Sequence, residues 1–181
     1  PMIAVTERVE GFSAPSFQPG RPVLEVLEDL MRRIHLDLAY APGTTEIGTP
    51  IDAVLDIGSG VCQDFAHILI ACLRSLGLPA RYVSGYLLTQ PPPGQARLVG
   101  SDASHAWAAV YLPELANHAC QGWLDLDPTN NRTGLASPGE DYVQLAVGRD
   151  FADVSPIRGV IHGGASHTLE VGVTVMPVNA N

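Results

Sequence analysis

The sequence predicts an α+β fold in which N-terminal helices pack on an antiparallel β-sheet. Apolar side chains recur every three or four residues only within the first 76 residues of the 181-residue chain. From residue 80 onward the pattern is typical of strands, and no helical pattern separates one strand from the next. Helices followed by an unbroken run of strands favour an antiparallel sheet over a doubly wound parallel one.

The composition excludes several classes of function. Ten Lys and Arg against nineteen Asp and Glu give a net charge of −9, whereas nucleic acids and anionic membranes bind basic surfaces. The longest apolar run, residues 68–73, is far shorter than the ~20 residues that a membrane span requires. Nothing at the N-terminus resembles a signal peptide, so we expect a cytoplasmic protein without nucleic-acid or membrane partners. The oligomeric state stays open.

The predicted helices occupy the first half of the chain. Residues 1–20 show no sustained period, and we expect a lead-in segment before one domain that spans residues 21–181. A helix is predicted from Pro22, which suits a first helical turn. Its apolar face consists of Val23, Leu27, Leu30, Ile34 and Leu38. Residues 52–55 are predicted to add one short helical turn, and residues 58–60 a flexible loop.

The clearest helix is predicted over residues 62–76. Gly77 ends it, and Pro79 prevents its continuation. Cys62 lies in the first turn. The apolar stripe of this helix is Phe65, Ile68, Leu69, Cys72, Leu73 and Leu76.

Five strands are predicted beyond Pro79. Prolines stop two of them, at Pro113 and Pro128. They span residues 80–88, 105–112, 122–127, 141–147 and 168–176.

The three cysteines cannot all pair within one chain, so at least one thiol is free. Cys72 lies within the apolar stripe and is expected to pack in the core. Cys120 lies in a loop and is expected to be incidental. Cys62 differs, because the unpaired N–H groups and positive end of a helix N-terminus stabilise a thiolate and can receive an oxyanion. Gly60 before it would let a substrate backbone approach closely.

A thiolate nucleophile needs an imidazole and a group that orients it. Strand alternation places His105 on one face of its strand and Asp127 on one face of the next. If these two strands form an antiparallel pair, His105 falls opposite roughly Asp127, within reach of a hydrogen bond. A two-residue slip would favour another partner. Asp125, on the same face, and Asp64, in the first helical turn, are the competing carboxylates.

Three motifs in this order resemble those of the bacterial transglutaminase-like superfamily, whose members are often described as cysteine proteases. The cysteine motif is residues 60–67, GVCQDFAH, followed by residues 80–86, ARYVSGY. The histidine motif is residues 104–107, SHAW, and the aspartate motif is DPTN at residues 127–130 after Gly122-Trp123. The resemblance is dense from about residue 40 to residue 131.

The resemblance implies a papain-like α+β fold with a transglutaminase core. It implies Cys62 as nucleophile, His105 as base and acid, and Asp127 as orienter. Full-length members carry a further N-terminal β-rich region, so we expect this chain to be the C-terminal part of a longer protein. Tyr40 and Gln63 are further candidates for the oxyanion hole or for substrate binding, as is Trp107; packing is the alternative for Tyr40 and for Trp107.

The predicted function is acyl transfer or hydrolysis at amide bonds of peptides or proteins, through a thioester on Cys62 and without a metal or organic cofactor. A transglutaminase with an amine acceptor and a non-catalytic binding domain are the alternatives. A thiol phosphatase is excluded, since Ile68 stands where its arginine would be. A zinc site built from Cys62, His67 and His105 matches no common spacing. His67 is expected to have a structural role.

Overall fold

The computed structural model describes residues 2–89, 103–155 and 172–178, and these contain five helices and seven strands. The helices are α1 (Glu7–Ser13), α2 (Val23–Asp37), α3 (Ile51–Ile57), α4 (Cys62–Ser75) and α5 (Phe151–Val154). The strands are β1 (Ala39–Tyr40), β2 (Ser59–Gly60), β3 (Ala80–Leu87), β4 (Ala103–Tyr111), β5 (Trp123–Asp127), β6 (Arg132–Leu135) and β7 (Tyr142–Gly148). A 3-10 turn, Pro113–Leu115, lies between β4 and β5.

Helix α4 is the centre of the domain. Every residue from Asp64 to Leu73 is buried, so this helix is enclosed on all sides rather than along one stripe. It packs against α1, α2 and α3 on one side and against β3 and β4 on the other. A helix that is apolar all round is stable only when it is surrounded in this way, and its first turn is thereby fixed against the sheet.

Strands β3 to β7 form one antiparallel sheet in the order β6-β5-β4-β3-β7, which confirms the predicted α+β fold. Successive side chains point to opposite faces of a sheet. The face against α4 presents Tyr82, Ala106, Ala108, Val110 and Leu126 to the main core. The opposite face carries a second apolar cluster of Val83, Trp107, Ala109 and Tyr142.

A second, parallel sheet of two short strands lies before α4. Strand β1 pairs with β2, so that Tyr40 lies opposite Gly60. The sequence predicted a loop over residues 58–60 instead. Because β2 ends at Gly60, only two positions before Cys62, this pairing fixes the backbone that leads into α4.

The N-terminal segment differs from the predicted lead-in. Helix α1 occupies residues predicted to lack helical structure, and its Val9 is fully buried. The Thr6 hydroxyl caps it by accepting a hydrogen bond from the Val9 N–H. Seven residues hold too few turns to show a period, which explains why the pattern predicted nothing here. Residues 52–55, predicted as a single turn, belong to the longer helix α3.

Strand β6 and helix α5 were not predicted, because each has only four residues. The predicted strand over residues 168–176 falls partly outside the described residues. Its described part, residues 172–176, holds a single bridge residue at Val173 and no continuous strand. Among the helices of the described ranges, none combines the length and the apolar character needed to cross a bilayer.

Candidate active site

Cys62 is the first residue of α4, as predicted, and its side chain is partly exposed. Helix α4 begins here because Asp64 reaches back and accepts a hydrogen bond from the Val61 N–H at 2.8 Å. The first backbone N–H groups of a helix have no acceptor within it. The amide end of α4 is therefore directed at the surroundings of the Cys62 thiol.

Asp64 also joins this turn to the preceding loop. The same oxygen, Oδ2, accepts a hydrogen bond from the Thr45 hydroxyl at 2.7 Å, and the residue is buried. A Cβ added at Gly60 would lie 2.7 Å from that oxygen. The glycine is therefore required for the approach of Asp64, whereas the sequence suggested that it admitted a substrate. Asp64 anchors the helix and does not orient the imidazole.

His105 is held by Asp127, the carboxylate that the sequence favoured. His105 Nε2 lies 2.7 Å from Asp127 Oδ2, and both side chains are buried. This contact leaves Nδ1 as the ring nitrogen available to Cys62. His105 and Cys62 line the same pocket. The structure thus brings together the three residues that the sequence singled out.

The strand register that produces this pair differs from the predicted one by two residues. Ala109 lies opposite Asp125, and continuing that register sets Trp107, not His105, opposite Asp127. His105 meets Asp127 diagonally instead. The same diagonal recurs one step along, where Trp107 Nε1 donates to Asp125 Oδ1 at 2.7 Å. Asp125, the competing carboxylate, is therefore occupied by the indole.

The Asp127 carboxylate accepts hydrogen bonds from several donors besides His105. Its Oδ2 accepts from the Tyr142 hydroxyl at 2.6 Å and from Asn130 Nδ2 at 2.7 Å. Its Oδ1 accepts from the backbone N–H groups of Thr129 at 2.9 Å and Asn130 at 3.3 Å. A buried carboxylate is stable as an anion only with such compensation.

Two opposing effects set the ionisation of this pair. Burial alone would raise the pKa of Asp127, but the hydrogen bonds from His105, Tyr142 and Asn130 outweigh it and lower that pKa below the ordinary value. Burial alone would lower the pKa of His105, but hydrogen bonds with Asp127 and Cys62 outweigh it and raise the pKa to about 9. Both shifts favour the charged forms, an imidazolium beside a carboxylate.

The pocket beside Cys62 has a volume of about 280 Å³. It is lined by Tyr40, Val61, Cys62, Gln63, Tyr82, Ser84, Ser104, His105, Ala106 and Phe151. Larger cavities of about 480 and 570 Å³ lie elsewhere in the described parts of the chain, and neither is lined by a cysteine or a histidine. Cys62 and His105 therefore meet in the smaller pocket.

Of the three further candidates, two line this pocket. Tyr40 is 56% exposed, and burial together with the charge of Cys62 raises the pKa of its phenol. The Gln63 side chain donates from Nε2 to the Ile47 carbonyl at 3.0 Å, which commits its amide to the neighbouring loop. Trp107 is fully buried and does not line the pocket; its indole packs beside His105 with ring centroids 6.1 Å apart. The expected contact of Trp107 with substrate is therefore replaced by a packing role.

The other two cysteines are buried. Cys72 is fully enclosed, its Sγ lies 3.9 Å from the Val9 carbonyl oxygen, and burial raises the pKa of its thiol to about 12. Cys120 Sγ lies 3.8 Å from the Leu115 carbonyl oxygen. Cys72 has the core position that the sequence predicted.

Sequence reasoning missed three side chains of the site. Asn130 belongs to the aspartate motif and lies three residues after Asp127, so its position was a usable signal. Tyr142 was predicted only as part of the strand over residues 141–147, and Phe151 gave no signal at all. Both come to the site through long-range packing against β3 and β4.

Within residues 2–89, 103–155 and 172–178, no group of three or more His, Cys, Asp or Glu side chains is arranged to hold a metal ion. His67, one of the three residues of the zinc alternative, accepts instead a hydrogen bond at Nε2 from the Phe151 N–H.

Comparison with known proteins places this geometry in context. The family model for the transglutaminase-like superfamily matches residues 10–128. The uncharacterized protein Rv2569c of Mycobacterium tuberculosis is 47% identical over 174 residues, which cover 96% of this chain and 54% of that protein. A protein-glutamine gamma-glutamyltransferase of Pseudomonas aeruginosa is 37% identical over 113 residues, or 61% of this chain and 16% of that protein.

Solved structures share the fold. The crystal structure of a candidate cysteine protease from Cytophaga hutchinsonii matches with a TM-score of 0.63 and 28% identity, over 82% of this chain and 44% of that one. The chain spans about half the length of the mycobacterial relatives it matches.

Proposed function

The chain belongs to the transglutaminase-like superfamily, and on that premise we propose that it catalyses thiol-dependent acyl transfer or hydrolysis at amide bonds of peptides or proteins. Cys62 is the nucleophile, His105 the base and acid, and Asp127 the residue that orients His105. One observation carries the proposal: a cysteine at a helix N-terminus shares a pocket with a histidine that is bonded to a buried carboxylate.

The acylation step follows from these positions. The Cys62 proton resides on His105 Nδ1, and the resulting thiolate attacks the carbonyl carbon of the substrate. The carbonyl π-electrons move to oxygen, and the backbone N–H groups in the first turn of α4 stabilise that oxyanion. The oxyanion then collapses, the C–N bond breaks, and His105 gives its proton to the leaving amine. A thioester on Cys62 remains.

In deacylation, His105 acts as a base rather than as an acid. A water molecule or an amine attacks the thioester carbonyl while His105 accepts its proton. The C–S bond breaks, and the Cys62 thiolate is regenerated beside an imidazolium. Asp127 stays ionised throughout and holds His105 Nε2, which favours the ring orientation that presents Nδ1 to the thiol.

Tyr40 is the second donor that we propose for the oxyanion. Its phenol lines the pocket, and its ring packs edge-on against Phe65 in α4, with centroids 6.4 Å apart. Because Gln63 is bonded to Ile47, its side-chain amide is less suited to this role than Tyr40.

Transfer to an amine is the second candidate outcome. It is favoured by the identity to the Pseudomonas aeruginosa gamma-glutamyltransferase, which covers 61% of this chain. Both outcomes share the thioester and differ only in whether water or an amine reaches it. A non-catalytic binding domain is the alternative from another class.

Peptide libraries incubated with and without an added primary amine separate the three functions by mass spectrometry. Cleaved peptides indicate a peptidase or amidase, and amine adducts indicate a transglutaminase. Both reactions should disappear in Cys62→Ala and persist in Cys120→Ala, the matched control at a thiol outside the pocket. A library that stays unchanged with the folded wild-type protein contradicts the proposal.

A further inference from the structure

His67 is a buried histidine that the proposed reaction does not use. It lies on α4, five residues beyond Cys62, and is 4% exposed. Its ring packs against Tyr82, with centroids 5.1 Å apart, and Tyr82 lines the pocket beside Cys62. A polar side chain enclosed to this extent requires a hydrogen-bond partner.

That partner is a backbone N–H group of a residue that lines the pocket. His67 Nε2 lies 3.2 Å from the Phe151 N–H, which belongs to the first residue of α5. Since an N–H group donates, Nε2 must be an unprotonated acceptor, and a neutral ring then carries its proton on Nδ1. Burial lowers the pKa of His67 to about 4 despite the opposing charges of Asp150 and Asp64. The ring is therefore neutral at physiological pH.

Phe151 forms part of the pocket. It lines the cavity beside Cys62, and its ring meets the Tyr82 ring edge-on, with centroids 6.4 Å apart. The rings of His67, Tyr82 and Phe151 thus pack in a row, with Tyr82 in the middle. The His67 hydrogen bond fixes the backbone that carries the third ring.

Helix α5 has a second anchor on α4. The Arg74 guanidinium donates to the Arg149 carbonyl at 2.8 Å, two residues before Phe151. Residues 67 and 74 lie two helical turns apart, so they hold the segment from the same side of α4. Asp150 caps α5 by accepting the Ala152 N–H at 2.9 Å, and it also accepts the Met2 N–H at 2.7 Å. The segment that carries Phe151 is therefore held by α4 and by the N-terminal residue Met2, and not by the four-residue helix α5 alone.

We propose that His67 is a positioning residue that, as a neutral acceptor, holds Phe151 in place as the aromatic wall of the Cys62 pocket and so determines which acyl groups fit there. The part concerning acyl groups rests on the proposed function. The part concerning the wall does not, because Phe151 and Cys62 line the same pocket whether or not the protein turns over a substrate.

The test uses alkylation of Cys62, which needs no turnover. Iodoacetamide and its N-benzyl derivative are compared by the second-order rate constant for Cys62, read by intact-protein mass spectrometry. The rate constant for the N-benzyl derivative is divided by that for iodoacetamide. This ratio reports how well the pocket accepts an aromatic group beside Phe151. Phe151→Ala should lower that ratio about fivefold, the range expected for the loss of one aromatic contact.

His67→Leu should lower the ratio to the same extent, and the double variant should lower it no further. His67→Gln, whose amide oxygen can accept from the Phe151 N–H, should stay within about twofold of the wild-type ratio. The matched control is His118→Leu, at an exposed loop position, which should leave the ratio unchanged. An unaltered ratio in His67→Leu or in Phe151→Ala overturns the proposal.

A measurement on the wild-type protein tests the contact between His67 and Phe151 without depending on whether a variant folds. Long-range ¹H–¹⁵N spectra at pH 7 should show His67 as the neutral Nδ1–H tautomer. An Nε2–H tautomer or an imidazolium contradicts the proposed contact. A protein that passes both tests yet transforms no peptide would refute the proposed function and leave the role of His67 standing.

Discussion

At the scale of single residues, the site depends on how Asp127 is held. The carboxylate has no exposure to solvent, so each donor to it replaces water. Two of these donors, Tyr142 and Asn130, share Oδ2 with His105. The orientation of the imidazole therefore depends on two side chains that do not line the pocket beside Cys62.

Tyr142→Phe tests this dependence. Removing one hydrogen bond to a buried charged group costs about 1.5–3 kcal/mol, so we expect kcat to fall about tenfold or more while KM changes little. The matched control is Tyr111→Phe, whose ring packs against Trp123 at the other end of β4, with centroids 5.5 Å apart. Equal kinetics for Tyr142→Phe and wild type would show that the contact does not orient His105.

The pH dependence of the reaction follows from the raised pKa of His105. The folded-state value of about 9 exceeds the ordinary 6.5, so the imidazolium stabilises the fold below pH 6.5, and that contribution is lost as the pH rises through about 9. In the proposed reaction, the same proton is given to the leaving amine. We expect amide cleavage to decline above about pH 9, while alkylation of Cys62, which needs no acid, does not decline. Parallel pH profiles for the two reactions would contradict this assignment.

Among the catalytic candidates, the residues and the pairing of His105 with Asp127 were predictable, and the strand register behind that pairing was not. Local helix signals singled out Cys62, and strand alternation singled out His105 and Asp127. Their catalytic roles stay predictions, although the geometry brings the three together. The two-residue error in register arose because the loop between β4 and β5 contains a 3-10 turn that periodicity does not reveal. A diagonal contact replaced the expected direct one.

At the scale of elements, the first turn of α4 is set by Asp64. This side chain accepts hydrogen bonds from the Val61 N–H and the Thr45 hydroxyl. It therefore ties the helical turn that contains Cys62 to the neighbouring loop. Long elements with clear periods, α2, α4 and β3, were predicted within a few residues. The short elements β2, α1 and α5 were missed because tertiary contacts rather than local pattern define them.

Asp64→Ala tests the anchoring role. Loss of the helix-capping contact should lower the free energy of unfolding by about 2 kcal/mol, and displacement of Cys62 should slow its alkylation about tenfold. The matched control is Asp52→Ala, in the first turn of α3, which loses a 2.7 Å hydrogen bond from the Thr6 hydroxyl. Thermal unfolding and alkylation are measured on both variants. A similar effect of both on alkylation would mean that general destabilisation, not the position of Cys62, is responsible.

At the scale of the whole molecule, the helices and the sheet each contribute residues to the site. Helix α4 carries Cys62, the proposed nucleophile, while β4 carries His105 and β5 carries Asp127. The α+β prediction and the family resemblance are confirmed, because the order of the elements and the motifs is a property of the chain rather than of any one contact. The expected cytoplasmic location and the full length of the natural protein stay predictions.

The central claim is that Cys62 forms an acyl intermediate with the assistance of His105. The most direct measurement is reaction with p-nitrophenyl acetate at pH 7, followed by acid quench and peptide mapping. We predict a burst of p-nitrophenolate, an acetyl thioester on Cys62 and none on Cys72, with the burst rate reduced at least about 100-fold in His105→Ala. Acetylation spread equally over the cysteines, or a burst unchanged in His105→Ala, would contradict the account.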